Sequence, residues 1–420
     1  MSTDLRAALR DAVTGEPPLS LDPATLAAAG GRRQRRRTRL AVGAAAFATA
    51  AALAVVVVLV ARPATDSDPD PARTELLRLD IDDSVRIDLD VAASTRTAWD
   101  NDRDSLEYDR LAGITADGLV LRTRYSNDRR YAEIGLLDPA TGTTDWLPTP
   151  LGRPPEVTPV ELTADRLVLA EWMPQGRTLH LFDRGSRTWQ RSVVHVTGDW
   201  ELHVPPLVRM GPDDRVYVGS TMEGESGPMH WWSAPVTDGG EARPELGLDG
   251  AAVTWGAGMQ LTAHPDGRVV LSGTAGSSVV TEERPAGCAR PKEFPDAPLG
   301  VLLAGDVPVV TYPCEGGRMT VVYRAGEDPV SVRGVSALAG DDEHVVLATA
   351  STYLGALVAS SHDGGRTYLL HLSDLTLSHV GAGPHEGQVE LAADLLLWNT
   401  PGPGDTDDAY DVVWNVARLD

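Results

Sequence analysis

Asp266-Gly267-Arg268-Val269-Val270-Leu271 is a tight turn followed at once by a three-residue apolar run, and the chain carries seven units of this kind, one of them a weaker copy with a two-residue run. Asp and Gly accept the dihedrals a chain reversal needs, and the apolar run supplies a short buried strand. Earlier copies are Ala116-Asp117-Gly118 before Leu119-Val120-Leu121, Asp165-Arg166 before Leu167-Val168-Leu169, and Asp213-Asp214-Arg215 before Val216-Tyr217-Val218. Later copies are Asp306-Val307-Pro308 before Val309-Val310, Asp342-Glu343-His344 before Val345-Val346-Leu347, and Ala393-Asp394 before Leu395-Leu396-Leu397. The copies recur at intervals of about 36 to 52 residues, the period of propeller blades built from short strands. The fold class is therefore all-β, a β-propeller over residues 76–420. Seven blades of about 49 residues fit the copy number, and six or eight also accommodate the length.

The last unit runs out of chain at Asp420 before it has four strands. Upstream of the first unit, Val85-Arg86-Ile87-Asp88-Leu89-Asp90-Val91 alternates apolar and polar residues as a half-buried strand does. This segment is expected to complete the last blade, because an open ring leaves unpaired strand edges.

Ser361-His362-Asp363-Gly364-Gly365-Arg366-Thr367-Tyr368 resembles the Asp-box turn of sialidases and other propellers. The resemblance covers eight residues. It implies that Ser361 and Asp363 bond local backbone donors, that Gly365 and Thr367 shape the turn, and that Tyr368 packs inward. Asp183-Arg184-Gly185-Ser186-Arg187-Thr188-Trp189 is a looser relative with one extra residue. The motif is a folding device, so it speaks for architecture more than for glycoside chemistry.

The segments before the repeats differ sharply from them. Leu40 to Ala61 is 22 residues without a charge, about 33 Å as a helix and long enough for a hydrocarbon core of about 30 Å. Arg32, Arg33, Arg35, Arg36, Arg37 and Arg39 lie before it, and Arg62 alone lies close behind, followed by Asp66, Asp68 and Asp70. The positive-inside rule then gives one transmembrane helix, residues 40–61, with a cytoplasmic N-terminus and plasma-membrane localisation. A cleaved signal peptide ending at Leu59-Val60-Ala61 is the competing reading, disfavoured by the long apolar stretch and the long charged region. Residues 62–75, rich in Pro and Asp, read as a linker.

Residues 1–39 carry eight Arg against four acids, and the whole chain has a formal charge of -23. The exported part is thus strongly acidic, which argues against nucleic acid as a partner. The tail holds two short helical patterns ahead of its Arg cluster. In this it resembles the tails of bacterial membrane proteins that work with extracytoplasmic-function sigma factors, and the resemblance implies a sigma factor as cytoplasmic partner. The plainer reading, which we adopt, is a topology signal that touches anionic lipid.

Cys288 and Cys314 are the only cysteines. Both follow the anchor, so an even count in an exported domain predicts one disulfide, against the alternative of two free thiols. Trp231 and Trp232 offer either blade core or a surface for stacking a glycan or peptide. His195, Asp199, Glu201 and His203, and the run 404–408, carry metal-ligand atoms without metal-ligand spacing. No catalytic set, metal site or cofactor is assigned. The favoured function is a membrane-tethered extracytoplasmic binding or sensing module for a protein, peptide or glycan ligand. A sialidase-like surface glycoside hydrolase and a sigma-factor regulator are the alternatives.

Overall fold

A computed structural model describes residues 76–100, 108–125, 131–173, 176–196, 207–221, 229–256, 258–274, 276–288, 300–314, 317–349, 366–382, 389–401 and 409–419. The propeller is one compact unit, residues 73–98 with 107–420; of a second unit, 1–72 with 99–106, only Trp99 and Asp100 are described. The tail with its Arg cluster, the apolar stretch 40–61 and the linker lie outside the described residues. No described helix is long and apolar enough to cross a membrane.

Strands β1 (Leu77–Leu79), β2 (Val85–Ile87) and β3 (Val91–Asp100) open the described chain. Blade 1 is β4 (Tyr108–Ile114), β5 (Val120–Tyr125), β6 (Ala132–Asp138) and β7 (Thr143–Trp146). Blade 2 is β8 (Thr158–Leu162), β9 (Arg166–Met173), β10 (Gly176–Asp183) and β11 (Thr188–His195), and it borrows β15 (Gly240–Glu241). Blade 3 is β12 (Leu207–Met210), β13 (Arg215–Thr221), β14 (Met229–Pro235) and β16 (Arg243–Pro244). Blade 4 is β17 (Ala252–Gly256), β18 (Met259–Ala263), β19 (Val269–Gly273) and β20 (Gly276–Thr281). Blade 5 is β21 (Gly300–Ala304), β22 (Val307–Cys314), β23 (Gly317–Val322) and β24 (Val330–Arg333). Blade 6 is β25 (Ser336–Gly340), β26 (His344–Ala348), β27 (Arg366–His371) and β28 (Leu377–Ala382). Blade 7 is β29 (Val389–Ala392), β30 (Leu395–Pro401), β31 (Ala409–Arg418) and β3.

The first strands of successive blades touch in a cycle that returns from β29 to β4, so the ring is closed. Apolar clusters fill the seams between blades. Leu111, Val120 and Leu137 of blade 1 meet Leu395, Val412 and Trp414 of blade 7, and comparable clusters occupy the other six seams. Each blade is buried on both faces, which is why its strands read as short continuous apolar runs rather than as alternation.

Closure falls a few residues later in the chain than the sequence led us to expect. The outer strand of blade 7 is β3, Val91–Asp100, whereas Val85–Ile87 pairs in parallel with β28 of blade 6. Strand β1 does the same one blade earlier, pairing in parallel with β24. The chain therefore enters along the rims of blades 5 and 6 before closing blade 7. Arg96 of β3 grips the buried Asp411 of β31 through two hydrogen bonds of 2.7 and 2.6 Å, and the Thr97 hydroxyl donates to the Asp109 carbonyl at 2.8 Å. Alternation in 85–91 is that of a rim strand, with Ile87 and Leu89 packed inward and Val85 exposed.

Six of the seven repeat units mark the first hairpin of their blade. In blade 4 the unit Asp266-Gly267-Arg268 instead joins the second and third strands. The Asp-turn chemistry is seen in the looser copy, where Asp183 Oδ1 accepts the Ser186 N–H at 2.6 Å and the Ser186 and Thr188 hydroxyls lie 2.8 Å apart. Asp138 builds a similar turn in blade 1, accepting the Ala140 N–H and the Thr141 hydroxyl, each at 2.9 Å. Of the Asp-box residues, Ser361, Asp363 and Gly365 lie outside the described residues. Thr367 and Tyr368 follow Arg366 at the start of β27, and Tyr368 is buried in the seam between blades 5 and 6.

Candidate functional site

The seven first strands surround the axis of the ring, so a ligand site there is built from the same register position of several blades. Each first hairpin has an inner closing pair. It is Thr163 with Arg166 in blade 2, Gly211 with Arg215 in blade 3 and Ala392 with Leu395 in blade 7. Two residues upstream of that pair, around the ring, stand Gly113, Glu161, Arg209, Thr254, Leu302, Ala339 and Glu390. Three of the seven are charged.

These three are not equivalent in their surroundings. Val160-Glu161-Leu162-Thr163-Ala164-Asp165-Arg166 in blade 2 matches Val389-Glu390-Leu391-Ala392-Ala393-Asp394-Leu395 in blade 7. Glu161 is neutralised by Arg166 of its own hairpin, at 2.9 and 2.6 Å. At the matching place blade 7 has Leu395, so Glu390 has no arginine from its own hairpin. Instead its Oε2 accepts the Ile114 N–H of blade 1 at 3.0 Å. The β4–β5 ladder slips between Leu111 and Gly113, and this bulge leaves the Ile114 N–H free to reach Glu390. Gly113 leaves room beside it: a Cβ there would sit 2.5 Å from Leu162 Cδ1 and 3.0 Å from Glu390 Oε2, so both side-chain ends would have to shift.

Arg209 stands on β12 between Val208 and Met210, which pack into the seam between blades 2 and 3. Strand alternation therefore turns Arg209 and Leu207 away from that seam. Leu207 is 43% exposed. Arg209 is exposed to solvent as well. Its guanidinium donates to the Val208 carbonyl at 3.1 Å. Among the described residues it makes no ion pair.

Arg209 and Glu390 feel each other across the axis. Burial pushes the Glu390 carboxyl up to about 7, and the Ile114 N–H and the Arg209 charge oppose that shift. Burial likewise lowers the Arg209 guanidinium, and Glu390 is the charge that opposes it. Blades 3 and 7 are separated by three blades on one side of the ring and two on the other. The layer thus presents one positive and one negative group on different walls, in contact with water and with no direct bond between them.

A raised carboxyl carries a definite sign for stability. Between about pH 4.5 and 7 the native state keeps the Glu390 proton while the unfolded chain has lost it, so stability falls as pH rises through that window. The expected loss is roughly 1–3 kcal/mol, discounted for the water that reaches the group. Glu390→Gln should remove this part of the pH profile, compared by denaturant unfolding at pH 4.5 and 8. An identical profile in both proteins would refute the assignment.

The fold is that of a seven-bladed β-propeller. Solved structures similar to this chain include the propeller domain of the trilobed protease of Pyrococcus furiosus, whose ring has an open velcro topology. It is 9% identical, with a TM-score of 0.46, covering 74% of this chain and 96% of that one. An oligogalacturonate lyase of Vibrio parahaemolyticus is 10% identical, with a TM-score of 0.41, covering 78% and 98%. An acylaminoacyl peptidase is 10% identical, with a TM-score of 0.44, covering 74% of this chain and 52% of that one. This chain matches about half the length of that peptidase. No protein-family model matches the chain, and comparison with curated proteins finds no match.

The residues singled out from sequence lie elsewhere. Trp231 and Trp232 are 1% and 7% exposed and point to opposite faces of blade 3, into the seams with blades 4 and 2. Neither indole offers a stacking face to a ligand. Cys288 and Cys314 form a disulfide that ties the segment after β20 to the end of β22. His195 ends β11, Asp199, Glu201, His203 and the run 404–408 lie outside the described residues, and no group of metal-ligating side chains occurs among those described. Arg209 and Glu390 were not singled out. Their signal was a lone charge in the apolar strand ahead of a repeated turn, and the absence of an arginine at Leu395 where Arg166 stands in blade 2.

Proposed function

We propose that the chain is a membrane-tethered extracytoplasmic β-propeller serving as a binding or sensing module, with the axial layer as its ligand site. The observation that carries this reading is the Arg209–Glu390 arrangement. An acidic and a basic group stand at one level of the ring, and among the described residues neither has an ion-pair partner. A basic and an acidic group without ion-pair partners at one level of a ring axis, the carboxyl with a raised pKa, mark a candidate binding site. The tether rests on the uncharged stretch 40–61 and its Arg-rich N-terminal flank.

The test is a thermal-shift panel on the full-length chain in lipid nanodiscs, using small anionic, cationic, zwitterionic and neutral solutes. A ligand at 100 times its dissociation constant stabilises by about 2.7 kcal/mol, enough to move the midpoint measurably. At least one class should raise the midpoint of the wild type and fail to raise that of Arg209→Gln. Absence of any shift, or a shift that Arg209→Gln keeps in full, would count against an axial site.

A further inference from the structure

We propose that the axial layer takes a small amino-acid-type zwitterion, its carboxylate on Arg209 and its ammonium group on Glu390. The inference rests on the axial site proposed above and adds its ligand class. A simple anion would satisfy Arg209 and leave the carboxylate of Glu390 facing like charge. A simple cation would do the reverse. Only a solute carrying both signs meets both groups with the opposite charge at once.

The geometry of the two groups fits this division of labour. The Arg209 guanidinium spends one donor on the Val208 carbonyl and keeps others for a planar oxyanion, which it grips in a fork. Glu390 has one oxygen fixed by the Ile114 N–H, which orients the carboxylate and leaves the second oxygen able to accept from an ammonium group. Leu207, on the same strand as Arg209 and turned the same way, supplies an apolar wall beside the cationic one. Blade 2 shows the closed alternative: there Arg166 satisfies Glu161 internally, and no ligand is needed. In blade 7 leucine replaces that arginine and the carboxylate is left for something from outside the hairpin. The raised Glu390 carboxyl adds a pH signature, because ammonium binding requires the ionised form and so weakens as pH falls below about 7.

The experiment is calorimetric titration of the full-length chain in nanodiscs at pH 8 with glycine, β-alanine, γ-aminobutyrate and leucine. Acetate, butyrate and butylamine serve as single-charge controls. At least one amino acid should bind tenfold or more tighter than every control, and Arg209→Gln and Glu390→Gln should each weaken it by about tenfold or more. Circular dichroism and the unsaturated midpoint confirm that both variants are folded. Should either fail to fold, Glu390→Asp replaces it, keeping the charge while shortening the reach, and a changed preference for amino-acid chain length reads the same contact. If butyrate binds as tightly as the amino acids and Glu390→Gln leaves it unaffected, the zwitterion is wrong while the axial site stands. If no probe binds in a manner that depends on Arg209, the inference falls together with the axial site.

Discussion

Trp231→Ala should lower the unfolding free energy by about 3–5 kcal/mol, the cost of emptying a large buried aromatic site that cannot collapse. The indole is 1% exposed in the seam between blades 3 and 4. Its Nε1 donates to the Ala251 carbonyl at 3.0 Å, and its ring meets Trp255 edge-on at 5.6 Å. Gly219 lies beneath it so closely that a Cβ would fall 2.8 Å from the ring, so the backbone has been brought in to fit this side chain. Truncation therefore removes a hydrogen bond, an aromatic contact and the filler of a tight space together. Denaturant unfolding measures the change. A loss under about 1 kcal/mol would mean the site relaxes or the indole is not packed as described. If Trp231 were instead a ligand-stacking residue, the variant would keep its stability and lose only binding.

Removing the Cys288–Cys314 bond should cost about 3–4 kcal/mol in the loop-entropy account, since the bond closes a loop across 26 positions. The bond spans the seam between blades 4 and 5: Cys288 is buried among Leu261, Val269 and Tyr312, and Cys314 ends β22. Cutting it leaves the segment after β20 held by weaker contacts such as the Arg284 guanidinium donating to the Pro265 carbonyl at 2.9 Å. Reductant should lower the melting midpoint of the wild type and leave Cys288→Ala/Cys314→Ala unchanged at its already lower value. Titration of two free thiols in the unreduced protein, with no response to reductant, would contradict the pairing.

What the sequence disclosed was local chemistry. The repeat was legible because a two-residue reversal demands Asp or Gly wherever it occurs, and the apolar run that follows is buried on both faces. The same chemistry misplaced one copy. In blade 4 the first hairpin turns on Gly256 and Gly258, without an Asp, and the second carries Asp266 with Gly267 at φ 102°. A turn motif alone does not say which hairpin of a blade it serves. Closure was legible in principle and misassigned in detail, because β3 (Val91-Ala92-Ala93-Ser94-Thr95-Arg96-Thr97) has small polar and apolar residues with weaker alternation than the rim strand before it. The bond that latches it, Arg96 to Asp411, joins residues 315 positions apart and leaves no local trace.

The tryptophan pair was misleading for a related reason. Two adjacent aromatics suggest an exposed platform, yet in a strand successive side chains take opposite faces, and a blade has a neighbour on each. The axial charges were the hardest to find. Arg209 and Glu390 lie 181 positions apart and each is one charge in a short apolar strand. Their common register follows only from the hairpin pairings, and their lack of an ion-pair partner among the described residues only from comparison with Glu161 and Arg166.

The most direct test of the account is a structure of the chain determined with the panel compound that stabilises it most. The account predicts density for that compound at the axis, in contact with Arg209 of blade 3 and Glu390 of blade 7. Density for the compound on a blade rim or an outer strand, with only water between Arg209 and Glu390, would contradict it.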